Sequence, residues 1–249
     1  MKVVVLGASR GIGRALARLM AGRGDALYLL GRNLEELAKS AADLEQRGAT
    51  GTVGTAACDL EDPASFDGAL AVAEDQLGGL DAVVVTAGLF ATQEALEADR
   101  EFTRRLLDVD FARTVEFCEL ARSRLLAHAS DGRGGKLCVF SSVAGDRGRK
   151  PVVLYGAAKA GLAAYLEGLD HKYHAQGLQV ICVKPGFVKT GMTAGLDPPP
   201  FAGEADAVAR QVLKAIDRGK PLVYTPGIWR WVMLVIRWLP RAVMRRINF

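Results

Sequence analysis

The chain has 249 residues, 50% of them hydrophobic and 24% charged, which suits one soluble globular domain and excludes a disordered or fibrous chain. Its formal net charge is +4, and residues 227–249 carry Arg230, Arg237, Arg241, Arg245 and Arg246 with no acid. Setting those five aside leaves 27 of the 32 basic residues against 28 acidic ones, so a nucleic-acid footprint over the main body is excluded.

Met1-Lys2-Val3-Val4-Val5-Leu6 runs directly into a strand pattern. No charged stretch followed by a long apolar run precedes it, so a cytoplasmic protein without a secretory signal is expected. Cys58, Cys118, Cys138 and Cys182 lie far apart with no C-x-x-C spacing. Reduced thiols are expected from them, and no metal site. In chain order, short β-branched runs at 3–6, 26–30, 51–57, 82–86, 136–140, 179–183 and 222–224 predict strands. Several are apolar on successive residues, as strands buried on both faces are. Helical patterns fall between them at 11–21, 34–47, 63–76, 104–127, 153–175 and 204–217. The alternation predicts an α/β fold, a doubly wound parallel seven-stranded sheet flanked by helices. Residues 1–226 are expected to form the nucleotide-binding catalytic domain, and residues 227–249 an amphipathic helical extension of it. Residues 186–203, with Pro198-Pro199-Pro200, follow a strand end and are expected to form a loop that closes over a ligand.

Gly7-Ala8-Ser9-Arg10-Gly11-Ile12-Gly13 joins the first strand to the first helix. A pyrophosphate at a helix N-terminus needs backbone N–H groups close by, and side chains there would obstruct it. Gly7 is expected to allow the tight turn, Gly11 the close approach and Gly13 helix–strand packing. The spacing is G-x-x-x-G-x-G. It is followed by Asp59-Leu60 after the third strand, Thr86-Ala87-Gly88 after the fourth, Ser141-Ser142 after the fifth, Tyr155-x-x-x-Lys159 on the next helix and Pro185-Gly186 after the sixth. In this order the chain resembles the short-chain dehydrogenase/reductase family, with Thr86 where the family has Asn. The resemblance implies that Ser9, Arg10, Ile12, Ala87, Gly88, Pro185, Gly186, Val188 and Thr190 contact the cofactor with the glycines. It also gives Asp59 an adenine contact, beside Leu60. A helix cap before Pro63 is the other role open to Asp59, and a cap is likewise open to Thr190.

The second strand ends Leu30-Gly31-Arg32-Asn33, without the acid that usually binds an NAD ribose. Arg32 offers a planar fork that suits a 2′-phosphate, and Arg10 a second cation, so NADP(H) is expected. Tyr155 and Lys159 are four apart and share a helix face. Tyrosine can donate the proton that an alkoxide needs after hydride addition to a carbonyl. Its free pKa is about 10, and a nearby ammonium with an oxidised nicotinamide should lower it. The resemblance implies that Lys159 also bonds the nicotinamide ribose. It further implies that Ser142, thirteen residues before Tyr155, polarises the carbonyl, rather than Ser141. Asp110 stands where the family has an Asn that holds a relay water, and it is included as the fourth catalytic residue.

Trp229, Trp231 and Trp238 lie in an apolar cluster with Val232, Met233, Leu234, Val235, Ile236 and Leu239, interrupted by Arg230 and Arg237. The stretch between the arginines is far short of the roughly 20 residues that span a bilayer. An interfacial helix facing anionic lipid, a homo-oligomer contact (dimer or tetramer) and a cap on its own cleft are all open to it. Residues 141–160 and 223–248 resemble the decaprenylphosphoryl-2-keto-ribose reductases, which implies a lipid-linked ketone. The expected activity is NADPH-dependent reduction of a hydrophobic or lipid-linked ketone. Reduction of a 3-ketosphinganine or 3-oxoacyl lipid, and a non-catalytic NADP(H)-binding regulator, are the alternatives.

Overall fold

Seven of the apolar runs pair side by side as parallel strands in a computed structural model that describes residues 1–127 and 134–247. They are β1 (Lys2–Leu6), β2 (Ala26–Gly31), β3 (Gly54–Ala57), β4 (Ala82–Val85), β5 (Lys136–Phe140), β6 (Gln179–Pro185) and β9 (Leu222–Thr225), in the order β3-β2-β1-β4-β5-β6-β9. The register sets Val3 opposite Leu27 and Ala82, and Val5 opposite Leu29 and Val84. Alternate side chains enter opposite cores. Val3 and Val5 pack with Leu16 of α1 (Gly11–Gly22), Leu37 of α2 (Leu34–Gln46) and Val212 of α8 (Ala205–Asp217). Val4 and Leu6 pack with Phe66 of α3 (Ala64–Leu77), Phe117 of α6 (Thr114–Ala127) and Leu166 of α7 (Val153–Tyr173). Each such side chain contributes about 1.5–3 kcal/mol by leaving water, which is why both faces of the strands read as apolar. Phe66 meets Phe117 edge to face, with ring centres 5.5 Å apart.

The fold class expected from the sequence is the one observed; several boundaries differ. Gly51 takes a φ of +72° and Val53 N donates to Glu45 Oε1, so the third strand begins only at Gly54. The helix expected over 104–127 is longer and interrupted. It is preceded by α4 (Gln93–Ala98), capped by Thr92 Oγ1, and begins as α5 (Arg100–Leu107), where Asp99 Oδ1 accepts from Phe102 N. A π-helical turn at Asp108–Arg113 then leads into α6. The tail is two helices, α9 (Trp229–Trp238) and α10 (Arg241–Met244), because Pro240 cannot continue the first. Arg230 and Arg237 therefore share α9, whereas Arg241 stands on the next helix, and Asn248 and Phe249 lie outside the described residues.

Two short segments that the sequence did not reveal, β7 (Val188–Lys189) and β8 (Gly203–Glu204), pair in parallel and pin both ends of the 186–203 loop. Lys189 and Glu204 reinforce the pair at 2.6 Å. Among the described residues, no helix is long and apolar enough to cross a membrane.

Candidate active site

A cavity of about 1030 Å³ runs along the C-terminal ends of β1, β4, β5 and β6. The sheet reverses winding direction between β1 and β4, where parallel sheets of this kind open a crevice. At one end, Gly7, Ser9, Arg10, Gly11, Ile12 and Gly13 line it. Gly7 takes a φ of +99°, and a Cβ on Gly13 would sit 2.3 Å from Gly7 O and 2.4 Å from Thr86 Oγ1. The Thr86 hydroxyl lies 3.1 Å from both Leu6 O and Gly7 O and so ties the end of β4 to this turn. The first turn of α1 has no acid and Arg10 makes no side-chain cap, so its leading N–H groups face the cavity's end unsatisfied by side chains. The room and the donors fit a dinucleotide pyrophosphate. Thr190 lies across from this turn, its methyl group 3.5 Å from where a Gly11 Cβ would stand, and its backbone N donates to Thr193 Oγ1.

Arg32 also lines the cavity, its side chain 61% exposed. Its contact with Glu61 is long, 3.4 Å, because Arg105 holds that carboxylate through two bonds of 2.9 and 2.8 Å. The Arg105 guanidinium holds the Glu61 carboxyl below its usual pKa. Asp59 and Leu60 lie outside the cavity lining. Asp59 Oδ1 accepts from Glu61 N and closes a local turn, while Leu60 is buried beneath it. Asp59 does not cap α3, whose first residue follows Pro63 without a side-chain bond.

The structure brings Ser142, Tyr155 and Lys159 together on the cavity wall, with Asp110 buried against the lysine and outside the lining. Ser142 lies two residues beyond β5 and caps the 3₁₀ turn at Val143–Asp146, where its Oγ accepts from Ala144 N at 3.1 Å and reaches Pro185 O at 3.5 Å. Ser141 points the other way, its hydroxyl donating to Lys159 O at 2.8 Å and tying β5 to α7. Tyr155 and Lys159 share the inward face of α7, with the ammonium 5.7 Å from the centre of the phenol ring. Lys159 Nζ is also 3.5 Å from Phe140 O. Asp110, fully buried on the π-helical turn, accepts from Leu89 N at 2.7 Å through Oδ1 and faces Lys159 Nζ at 3.4 Å through Oδ2. Ala87 and Gly88 line the floor, and a Cβ on Gly88 would stand 2.9 Å from Asp110 Oδ1.

Burial sets the charge states here. It raises the Tyr155 pKa, and Asp110 adds to the rise, while Lys159 and a hydrogen bond from Ser142 offset only part of it. From the protein's own groups the net shift is upward, because the loss of solvent outweighs one ammonium; the lowering expected from the sequence counted an oxidised nicotinamide as well as Lys159. Burial lowers the Lys159 pKa, but Asp110 and Tyr155 more than reverse it, and the ammonium is held. Asp110 is raised by burial, against the pull of Lys159 and the Leu89 amide. The four thiols are buried, and burial pushes those of Cys58 and Cys182 up to about 11.

Three contributors were missed in the sequence. Phe90 meets Tyr155 edge to face at 5.1 Å, only two residues beyond Gly88. Arg149 lines the wall before Tyr155. Trp229 turns inward, not toward the surface with the other tryptophans: it lines the cavity and packs on Gly186, where an added Cβ would fall 2.1 Å from Trp229 Nε1. The spacing of Trp229, Met233 and Ile236, which form one face of α9 against Val143, would have separated it from Trp231 and Trp238. One face of the tail thus packs against the cavity wall. Arg147 fixes it there by donating to Arg237 O and Leu239 O, at 3.3 and 2.9 Å.

The family model for short chain dehydrogenase matches residues 1–199. An uncharacterized oxidoreductase of Mycobacterium tuberculosis is 34% identical over 245 residues, covering 98% of this chain and 96% of the relative. Carbonyl reductase family member 4 of Xenopus tropicalis is 29% identical over 217 residues, 84% of this chain and 88% of that protein. A solved short-chain type dehydrogenase/reductase from Mycobacterium ulcerans superposes with a TM-score of 0.80 at 21% identity, over 98% of this chain and 97% of that one. With the glycine turn, the serine and the tyrosine–lysine pair converging on one cavity inside that matched span, the chain belongs to the short-chain dehydrogenase/reductase family of oxidoreductases, whose members bind a nicotinamide cofactor.

Proposed function

We propose that the protein is an NADPH-dependent carbonyl reductase acting on a hydrophobic or lipid-linked ketone, with Tyr155 as the general acid. The observation that carries this is the convergence of Tyr155, Ser142 and Lys159 at the middle of one cavity whose end is the phosphate turn. A nicotinamide bound there supplies the hydride. Ser142 holds the substrate carbonyl; as the carbonyl carbon gains the hydride, its oxygen takes the phenol proton of Tyr155. The raised Tyr155 pKa keeps that proton in place at neutral pH. Lys159, held as an ammonium by Asp110, then stabilises the phenolate left behind. The experiment is NADPH oxidation across a panel of ketones. NADPH binding with no turnover of any ketone would favour the non-catalytic alternative.

Arg32 and Arg10 support the choice of NADPH, because Glu61 is already engaged by Arg105 and leaves the Arg32 fork to a 2′-phosphate. Arg32→Ala is expected to weaken NADPH binding by roughly 10- to 100-fold, the worth of one or two charge-assisted bonds. NADH binding should hardly change. Fluorescence titration of both cofactors checks this, and equal weakening of the two would reject the role.

The outer face of α9 supports a lipid-borne substrate. Trp231 is 61% and Trp238 83% exposed, beside the exposed Leu234 and Val235, and Arg230 and Arg237 flank them. That combination suits the boundary of an anionic bilayer. Trp231→Ser with Trp238→Ser is expected to reduce binding to phosphatidylglycerol vesicles by at least roughly tenfold per tryptophan, from the apolar area each would bury. Flotation that is unchanged in the double variant would remove the membrane role.

A further inference from the structure

Trp229 brings a large ring to the flank of Ser142. Its indole stands in the space a side chain on Gly186 would need: a Cβ there would overlap Nε1 and Cε2 and lie 2.5 Å from Cδ1. Gly186 follows Pro185, whose carbonyl oxygen is 3.5 Å from Ser142 Oγ. The same indole packs in one apolar cluster with Val143, the residue after Ser142. Ser142, Val143, Gly186 and Trp229 all line the one cavity.

The ring is held in place from behind. Trp229 is 6% exposed and shares the buried face of α9 with Met233 and Ile236. Tyr224 packs against this cluster and donates its hydroxyl to Asp146 Oδ2 at 2.7 Å, while Lys184 meets Oδ1 at 2.5 Å. Asp146 ends the 3₁₀ turn that Ser142 caps, and Arg147, the next residue, donates to the two carbonyls at the end of α9. The helix and the serine's turn are therefore one packed unit, and the indole is a fixed wall.

Phe90, which follows β4 and meets Tyr155 edge to face, is the aromatic wall on the other flank. Ser142 follows β5, which lies between β4 and β6 in the sheet. A carbonyl held by Ser142 and Tyr155 thus has one substituent toward Phe90 and the other toward Trp229. The two flanks differ. Past Phe90 the lining continues to the half-buried Thr92 and the exposed Glu94 at the rim, whereas behind Trp229 stand Met233 and Ile236.

Resting on the assignment of Ser142 and Tyr155 as the reaction centre, we propose that Trp229 is the specificity-determining residue for the ketone. Its indole admits a small group on its side of the carbonyl and turns the bulky one toward Phe90 and the rim.

The test is a series in which one substituent is fixed and the other grows: acetophenone, propiophenone and isobutyrophenone. Each is titrated calorimetrically into the protein saturated with NADP⁺, where no hydride is available. One methylene too many in an apolar pocket changes recognition by roughly 10- to 200-fold, so the parent should bind acetophenone at least about tenfold tighter than isobutyrophenone. Trp229→Ala should remove that preference and Trp229→Phe should retain part of it, with melting temperature recorded for each. If the alanine variant does not fold, the phenylalanine variant carries the comparison. Equal binding of the three ketones by the parent, no binding of any, or weakening of all three alike in the variants would overturn the proposal. Turnover with NADPH is read separately. Ketones that bind in the expected order of size but are never reduced would reject the reaction assignment while the role of Trp229 in selection stands.

Discussion

Tyr155→Phe is expected to lower kcat for ketone reduction by about 10²- to 10⁴-fold, the usual contribution of a positioned general acid. The ring that meets Phe90 edge to face at 5.1 Å is retained, so the wall of the cavity keeps its shape. NADPH affinity should change little, because the phosphate turn and Arg32 lie toward the other end of the cavity. The informative result is a loss confined to kcat. A variant that keeps its kcat within tenfold of the parent would show that the proton comes from elsewhere, and Tyr155 would lose its role.

Asp110 carries the second large effect, and it divides into two substitutions. Asp110→Ala leaves the Lys159 ammonium buried without its carboxylate and the Leu89 amide without its acceptor. Breaking a buried pair from one side costs about 3–5 kcal/mol, which corresponds to roughly 10 °C in melting temperature for a chain of this size. Asp110→Asn keeps the shape and an acceptor but removes the charge. Since Asp110 raises the Tyr155 pKa, its neutralisation should lower that pKa. The sign follows directly. A general acid works below its pKa, so the alkaline fall in reduction rate should move to lower pH in Asp110→Asn. In the oxidation direction, where the phenolate is needed, the acid limb should move to lower pH as well. Profiles of kcat/KM against pH in both directions measure this. A shift to higher pH, or none, would mean that Asp110 does not act on Tyr155 through charge.

Much of the fold was legible because parallel strands are buried on both faces. The valines at 3–5 and 83–85 serve both cores at once, and such a run has few other uses in a chain of this composition. The positions of Ser142, Tyr155 and Lys159 were legible through their spacing, and the structure brings all three to the same cavity. The desolvation that raises the Tyr155 pKa was not legible, because only packing reveals it; the expectation counted Lys159 and an oxidised nicotinamide. The inward turn of Trp229 escaped because three tryptophans in one apolar cluster look alike until the faces of α9 are separated. β7 and β8 were hidden for a simpler reason: two residues are too few to show a period. The π-helical turn left no signal either, since Asp108-Val109-Asp110-Phe111-Ala112-Arg113 reads as ordinary helix.

That turn has a consequence for how sequence changes register in this region. A π-helical turn holds one residue more than the α-helix it interrupts, so α5 and α6 are out of phase across it. Thr114 bridges the phase change, its hydroxyl donating to Val109 O at 2.7 Å. Downstream, Phe117, Ala121 and Leu125 keep their places in the core; upstream, Asp110 is swung toward Lys159. Loss of a single residue here would let the helix run straight and leave the core stripe intact, yet rotate the carboxylate by about 100° and away from the ammonium. In this segment length itself is a functional trait: a change of one residue would alter the site before it altered the fold.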